Sequence, residues 1–150
     1  MTTTSPLYEA TRTLPLKQVT ALVRTEVRKT VKAFNESSGT APIGVSVTMD
    51  GYRSISVDLQ LPEPLYDFNA EFINDIYIER PLPRWTAGDA DFMRTYKDGK
   101  YSRLIKFYEL LSVVESIRQQ YNYNNSDPMT DYFDVRYYGT TKFTRGKRGW

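Results

Sequence analysis

The stretch GVSVTMDGYRSISVDLQL, residues 44 to 61, constrains the fold more than any other part of the chain. Val45, Val47 and Met49 alternate with polar residues, and so do Ile55, Val57, Leu59 and Leu61. A period of two places each set on one face of a pleated strand. Asp50-Gly51 lies between the two runs and is favoured chemistry for a tight hairpin turn. The opposite face carries Ser46, Thr48, Ser54, Ser56, Asp58 and Gln60. A hairpin with one aliphatic face needs a second layer to cover it.

Two segments have the pattern to supply that layer. From Pro15, a favoured first-turn residue, Val19, Leu22, Val23, Val27, Val31 and Phe34 recur at helical spacing. The run NESSGTAP then carries stop signals, so a helix is expected over about 15–34. A second helix is expected over about 102–121, where Leu104, Phe107, Tyr108, Leu111, Val114, Ile117 and Tyr121 share a face. After it, TDYFDVRYY reads as a strand over about 130–138, with Phe133, Val135 and Tyr137 toward the helices and Tyr132, Asp134, Arg136 and Tyr138 away from them. The expected fold is therefore α+β: a two-layer sandwich in which two helices cover one face of a small antiparallel sheet.

The remaining segments are read from composition. Residues 1–13 are expected to be a flexible arm, 14–140 one domain, and 141–150 a basic flexible tail. Within the domain, 62–100 reads as an acidic irregular segment punctuated by Pro62, Pro64, Pro81 and Pro83. It allows a short helix from Asp67, with Phe68, Phe72 and Ile73 inward, then a short strand at IYIER, then a loop at WTAGDADFMRTYKDGK. Between 57 and 93 there are eight acidic residues against two basic ones, although the whole chain is only +2.

Composition also narrows the chemistry. The chain of 150 residues has no histidine and no cysteine. The commonest general base, the thiolate nucleophile and the usual zinc ligands are thus missing. Asp131 and Asp134 are three apart on the expected strand, so they point to opposite faces and make a poor catalytic pair. Asn122, Asn124, Asp127, Asp131 and Asp134 offer oxygen ligands, but calcium-loop spacing, its central glycine and its closing glutamate are not met. Asn and Asp side chains capping backbone groups in a turn account for the same residues. No metal and no cofactor are implied. No apolar run approaches the ~18 residues of a membrane span, and the N-terminus lacks a signal pattern. The expectation is a soluble, cytoplasmic protein.

Three groups of residues carry a binding reading. Arg24, Arg28 and Lys32 form an i, i+4 row on the first helix, flanked by Lys17 and Lys29 and offset only by Glu26. Such a row tracks phosphates, or is the solvated side of an amphipathic helix. Tyr132, Arg136 and Tyr138 would stack bases on the open sheet face, or pack across strands. Lys142, Arg145, Lys147 and Arg148, with Phe143 and Trp150, combine charge and stacking groups in the tail. Opposed to these stands an acidic set, Glu63, Asp67, Glu71, Asp75, Glu79, Asp89 and Asp91, suited to a basic surface on a protein partner.

LPLKQVTALVRTEVRKTVKAF, GVSVTMDGYRSISVDLQLPEP and YNYNNSDPMTDYFDVRYYG together resemble one of the large polyvalent protein-associated domains of phage and conjugative-element proteins. The likeness spans roughly 14–139 and is most specific at TDYFDV. It implies a mobile-element setting and no catalytic residues. The resulting expectation is a non-enzymatic accessory protein of a phage or mobile element. It would bind nucleic acid through the basic helix row and the basic aromatic tail. One alternative is a protein-binding inhibitor of a host defence complex acting through the acidic segment. Another is a small virion or assembly component. The partners are nucleic acid, or a host or viral protein, with self-association a further option and the virion a second location.

Overall fold

A computed structural model describes residues 3–4, 6–39, 42–51, 53–78, 88–124 and 136–146. In chain order the elements are β1 (Thr3–Thr4), α1 (Pro6–Thr11), α2 (Leu16–Ser38), β2 (Gly44–Asp50), β3 (Ser54–Leu61), α3 (Glu63–Ile78), α4 (Ala90–Thr95), α5 (Ile105–Gln119), β4 (Tyr123–Asn124) and β5 (Thr141–Arg145). Short 3₁₀ turns at Tyr96–Gly99 and Ser102–Leu104 lead into α5. The class is α+β. Helices pack on one face of a three-stranded sheet of order β2-β3-β5.

The hairpin forms as its alternation requires. Val47 pairs with Val57 and Val45 with Leu59, and the four aliphatic residues of β3 are fully buried. Met49, at the free edge, remains 40% exposed. Asp50 pairs with Ser54, so the connection is three residues long, with Gly51 at φ +62. Val19, Val23, Val27 and Val31 of α2 are buried against this face. Each contributes about 1.5–3 kcal/mol of burial. Leu22, expected on that stripe, lies off it and is 38% exposed. α2 continues four residues beyond Phe34 to Ser38 and stops where Gly39 takes a left-handed conformation, φ +68. Asn35 then exchanges two hydrogen bonds with the Ile43 backbone and turns the chain into β2.

The third strand departs from expectation in position and direction. β5 runs parallel to β3, in register from Val57↔Thr141 to Leu61↔Arg145, and a bridge Ser54↔Tyr138 keeps the same register. The sheet is therefore mixed. The helices between β3 and β5 make the crossover that a parallel pair needs. Thr141 to Arg145, expected in a flexible tail, is this strand. Phe143 meets the Tyr108 ring edge-on at 5.1 Å, and that apolar contact anchors it. Of the expected strand, residues 130–135 lie outside the described residues. Tyr137 is buried and Tyr138 exposed, as the alternation required.

The acidic segment is largely helical. Pro64 stands in the first turn of α3, where a missing N–H costs nothing. Phe68, Phe72 and Ile76 follow at i, i+4 spacing, which carries the helix through the expected strand as far as Ile78. A second core joins Phe72 and Ile76 to Met93, Tyr96, Tyr101 and Leu104. The expected loop around Met93 contains α4, capped by Asp89, whose Oδ1 accepts from the Asp91 and Phe92 amides at 3.0 and 3.3 Å. The N-terminal arm is docked as well. β1 pairs with β4, and α1 ends at Thr11, whose backbone binds Arg136.

Candidate nucleic-acid interface

α2 buries one stripe, and this orients its flanks. Lys17, Arg24, Arg28 and Lys32 fall on the flank that borders the free edge of β2. At 1.5 Å per residue the row is about 22 Å long. Lys17, Arg28 and Lys32 are exposed. Arg24 is half-buried and its Nη2 donates to the Val47 carbonyl at 2.9 Å, so it reaches round the sheet edge. A groove of about 580 Å³ opens there, lined by Lys17, Thr20, Arg24, Val47, Thr48, Met49 and Asp50. Among the described residues none of these four cations has a carboxylate in ion-pair reach. Glu26 lies off this flank and accepts from the Tyr121 hydroxyl at 2.8 Å.

Many cations elsewhere are paired. Arg145 Nη1 is 2.9 Å from Glu63, and its Nη2 is 3.0 Å from Asp67. Lys100 meets Glu71 at 3.4 Å, Lys97 meets Asp75 at 3.2 Å, and Arg94 meets Asp91 at 2.8 Å. Buried Arg118 holds Glu115 at 2.6 Å and also donates to Thr141 and the Ile55 carbonyl. The acidic set is thus brought onto α3, α4 and their cationic neighbours rather than onto one free surface. Glu79 lies outside the described residues.

The expected aromatic face is divided. Arg136 does not stand on the open sheet face. Its guanidinium donates to the Thr11, Leu14 and Tyr121 carbonyls at 2.6, 3.2 and 2.9 Å and lies over the Tyr8 ring. Residue 136 precedes the parallel register, so the alternation assumed for it does not apply. Asn122 closes this knot: its Oδ1 accepts from the Arg136 and Tyr137 amides and its Nδ2 donates to the Tyr137 carbonyl. That is the turn-capping role open to Asn in such a segment. Tyr138 is 45% exposed, and the Arg53 guanidinium, which the sequence did not single out, lies 5.5 Å from its ring centroid. Lys142 is exposed and stands opposite Asp58 in the register, on the face away from the helices. Tyr132, Lys147, Arg148 and Trp150 lie outside the described residues.

Two carboxyls and a phenol near the paired cations are shifted by their partners. The Asp75 carboxyl is held below its usual range by the Tyr101 hydrogen bond and by Lys97, against the opposing effect of burial. Tyr101 is pushed far up by burial and by the Asp75 charge. The proton stays on the phenol at neutral pH, unlike an acid–base pair poised near pH 7. Burial raises Glu115, but hydrogen bonds from Arg118 and Thr141 and the Arg118 charge outweigh it and leave the carboxyl below its usual value. Among the described residues no group of three acidic, histidine or cysteine side chains is placed to hold a metal ion, and no helix is long and apolar enough to cross a membrane.

In comparison with known proteins, no family model matches the chain, and neither a curated protein nor a solved structure matches it at significant similarity.

Proposed function

We propose that this protein is a non-enzymatic nucleic-acid-binding protein whose contact surface is the cationic flank of α2. The supporting observation is that Lys17, Arg24, Arg28 and Lys32 share one flank without a carboxylate partner among the described residues, while Arg145, Lys97, Lys100 and Arg94 have such partners. A guanidinium or ammonium already beside a carboxylate must break that pair to bind a phosphate, and the α2 row has no such pair to break. The accessory role in a phage or mobile element belongs to the same proposal and rests on the resemblance of the α2, hairpin and TDYFDV segments. A protein-binding role through the acidic set has less support, because Glu63, Asp67, Glu71, Asp75 and Asp91 already face cations of the same chain.

Fluorescence anisotropy with labelled DNA and RNA, repeated across a salt series, tests this role. Three to four phosphate contacts give a log–log salt slope of about −2 to −4, depending on strandedness. Replacing Arg28 and Lys32 by glutamine is expected to flatten that slope by about 1.4 to 1.8. Absence of binding at low salt would exclude the role.

A further inference from the structure

We infer that the nucleic acid taken by this protein is single-stranded and that one of its bases stacks on Tyr138; this rests on the nucleic-acid role proposed above.

Tyr138 is held on the open side of the sheet. Its bridge to Ser54 is in register with β5, and Ser54 points away from the buried Ile55. The Tyr138 carbonyl accepts from the Ile55 amide at 2.9 Å, which fixes the backbone under the ring. The next residue is held too. Gly139 has φ +134, and a Cβ there would lie 1.8 Å from the Ile55 carbonyl oxygen. The Arg53 guanidinium covers part of the ring, yet 45% of the residue stays exposed. An exposed tyrosine ring with a guanidinium beside it and a paired backbone beneath is a platform for a flat ligand.

Position connects the platform to the cationic flank. Asp50, Ser54 and Tyr138 lie side by side across the end of the sheet. Two strand spacings separate the first from the last, about 10 Å. Asp50 also closes the groove lined by Lys17 and Arg24. A chain whose phosphates follow the α2 flank can turn over the β2 edge at Asp50 and set a base on the Tyr138 ring. On this face Asp50 and Asp58 offset the charges of Arg53 and Lys142, so the ring is what the face offers a ligand. A base inside a duplex already has neighbours on both faces and offers none to the ring. An unpaired base does.

The test uses the full chain with three changes: Tyr138→Leu, Tyr138→Phe, and Arg28→Gln with Lys32→Gln. Affinity is measured for single strands of DNA and of RNA and for duplexes of equal length, at matched salt, with 2-aminopurine in the single strands to report stacking. Thermal melts confirm that each variant is folded. The wild-type chain is expected to prefer single strands and to quench 2-aminopurine. Tyr138→Leu is expected to lose about ten-fold in single-strand affinity, the weight of one stacked base. It should leave duplex affinity and the salt slope unchanged. Tyr138→Phe, which keeps the ring, should restore the affinity. The Arg28/Lys32 variant should weaken binding to both forms. Equal wild-type affinity for duplex, or a Tyr138→Leu variant that binds single strands as tightly as wild type, overturns the stacking site and leaves the nucleic-acid role standing. No binding of any form by the wild-type chain overturns both.

Discussion

Arg145, at the end of β5, sits 2.9 Å from Glu63, at the start of α3. Asp67, one turn further along α3, takes its other Nη at 3.0 Å. Residues read from the sequence as parts of two opposed binding surfaces thus satisfy each other and fasten the parallel edge strand to the first turn of α3.

Arg145→Ala is therefore expected to act on stability more than on binding. Both partners are about half exposed, so the loss should be modest, about 0.5–1 kcal/mol in a urea melt. The salt slope of nucleic-acid binding should stay at the wild-type value. A slope flattened as much as by Arg28→Gln would show that Arg145 leaves its carboxylates to bind phosphate.

Arg136 is expected to behave as a structural tie. Its guanidinium spans the Thr11, Leu14 and Tyr121 carbonyls and joins the end of α1 to the end of α5. Arg136→Leu removes those donors and should release α1, whose six residues are too few to hold a helix unaided. Hydrogen–deuterium exchange should then rise sharply across residues 6–14 while the β2 and β3 amides stay protected. Unchanged exchange over 6–14 would count against the tie.

Gly139 tolerates no side chain. At φ +134 the backbone is outside the range of L-residues, and an added Cβ would meet the Ile55 carbonyl oxygen and the Arg118 guanidinium. Gly139→Ala is expected to cost about 3 kcal/mol or more. Chemical denaturation provides the check, with Thr140→Ala, an exposed neighbour, as the control expected to stay close to wild type.

Alkaline pH should unfold the chain earlier than ordinary tyrosines require. Burial and the neighbouring Glu26 push the Tyr121 phenol up to about 12, and burial raises Tyr137 to about 12. Both folded values exceed the unfolded value of about 10. The fold therefore favours the protonated phenols. Their contribution is complete below about pH 10 and is lost as pH rises through about 12. Urea midpoints across that range should fall together with the growth of phenolate absorbance. Tyr121→Phe should lose about 1 kcal/mol near neutrality, for the Glu26 hydrogen bond, and shed part of the alkaline dependence.

The legible parts of the chain were those with a strong local period. The hairpin, the valine stripe of α2 and the face of α5 follow from spacings of two and of three to four, because a one-sided element must bury that side. α3 was legible only in part. Four prolines and a high acidic content masked a helical spacing that Leu65, Phe68, Phe72 and Ile76 nevertheless carry. Asp89, by contrast, carried a capping signal that composition alone obscured. In TKFTR the alternation was present, but Phe143, expected as a stacking group in a flexible tail, instead packs on Tyr108 and the core.

Local sequence by itself determined which segments are amphipathic and that the hairpin needs a helical cover. It also placed Arg24, Arg28 and Lys32 on one side of a helix, since helical geometry alone aligns residues four apart. Only the tertiary structure decided the direction of β5, the docking of α1 and which charges neutralise one another. Those outcomes depend on residues far apart in the chain, such as Arg145 with Glu63 and Arg136 with Thr11, whose meeting no local spacing encodes. For the same reason Arg53 reaches the Tyr138 ring only because the parallel register sets Ser54, its neighbour, beside Tyr138.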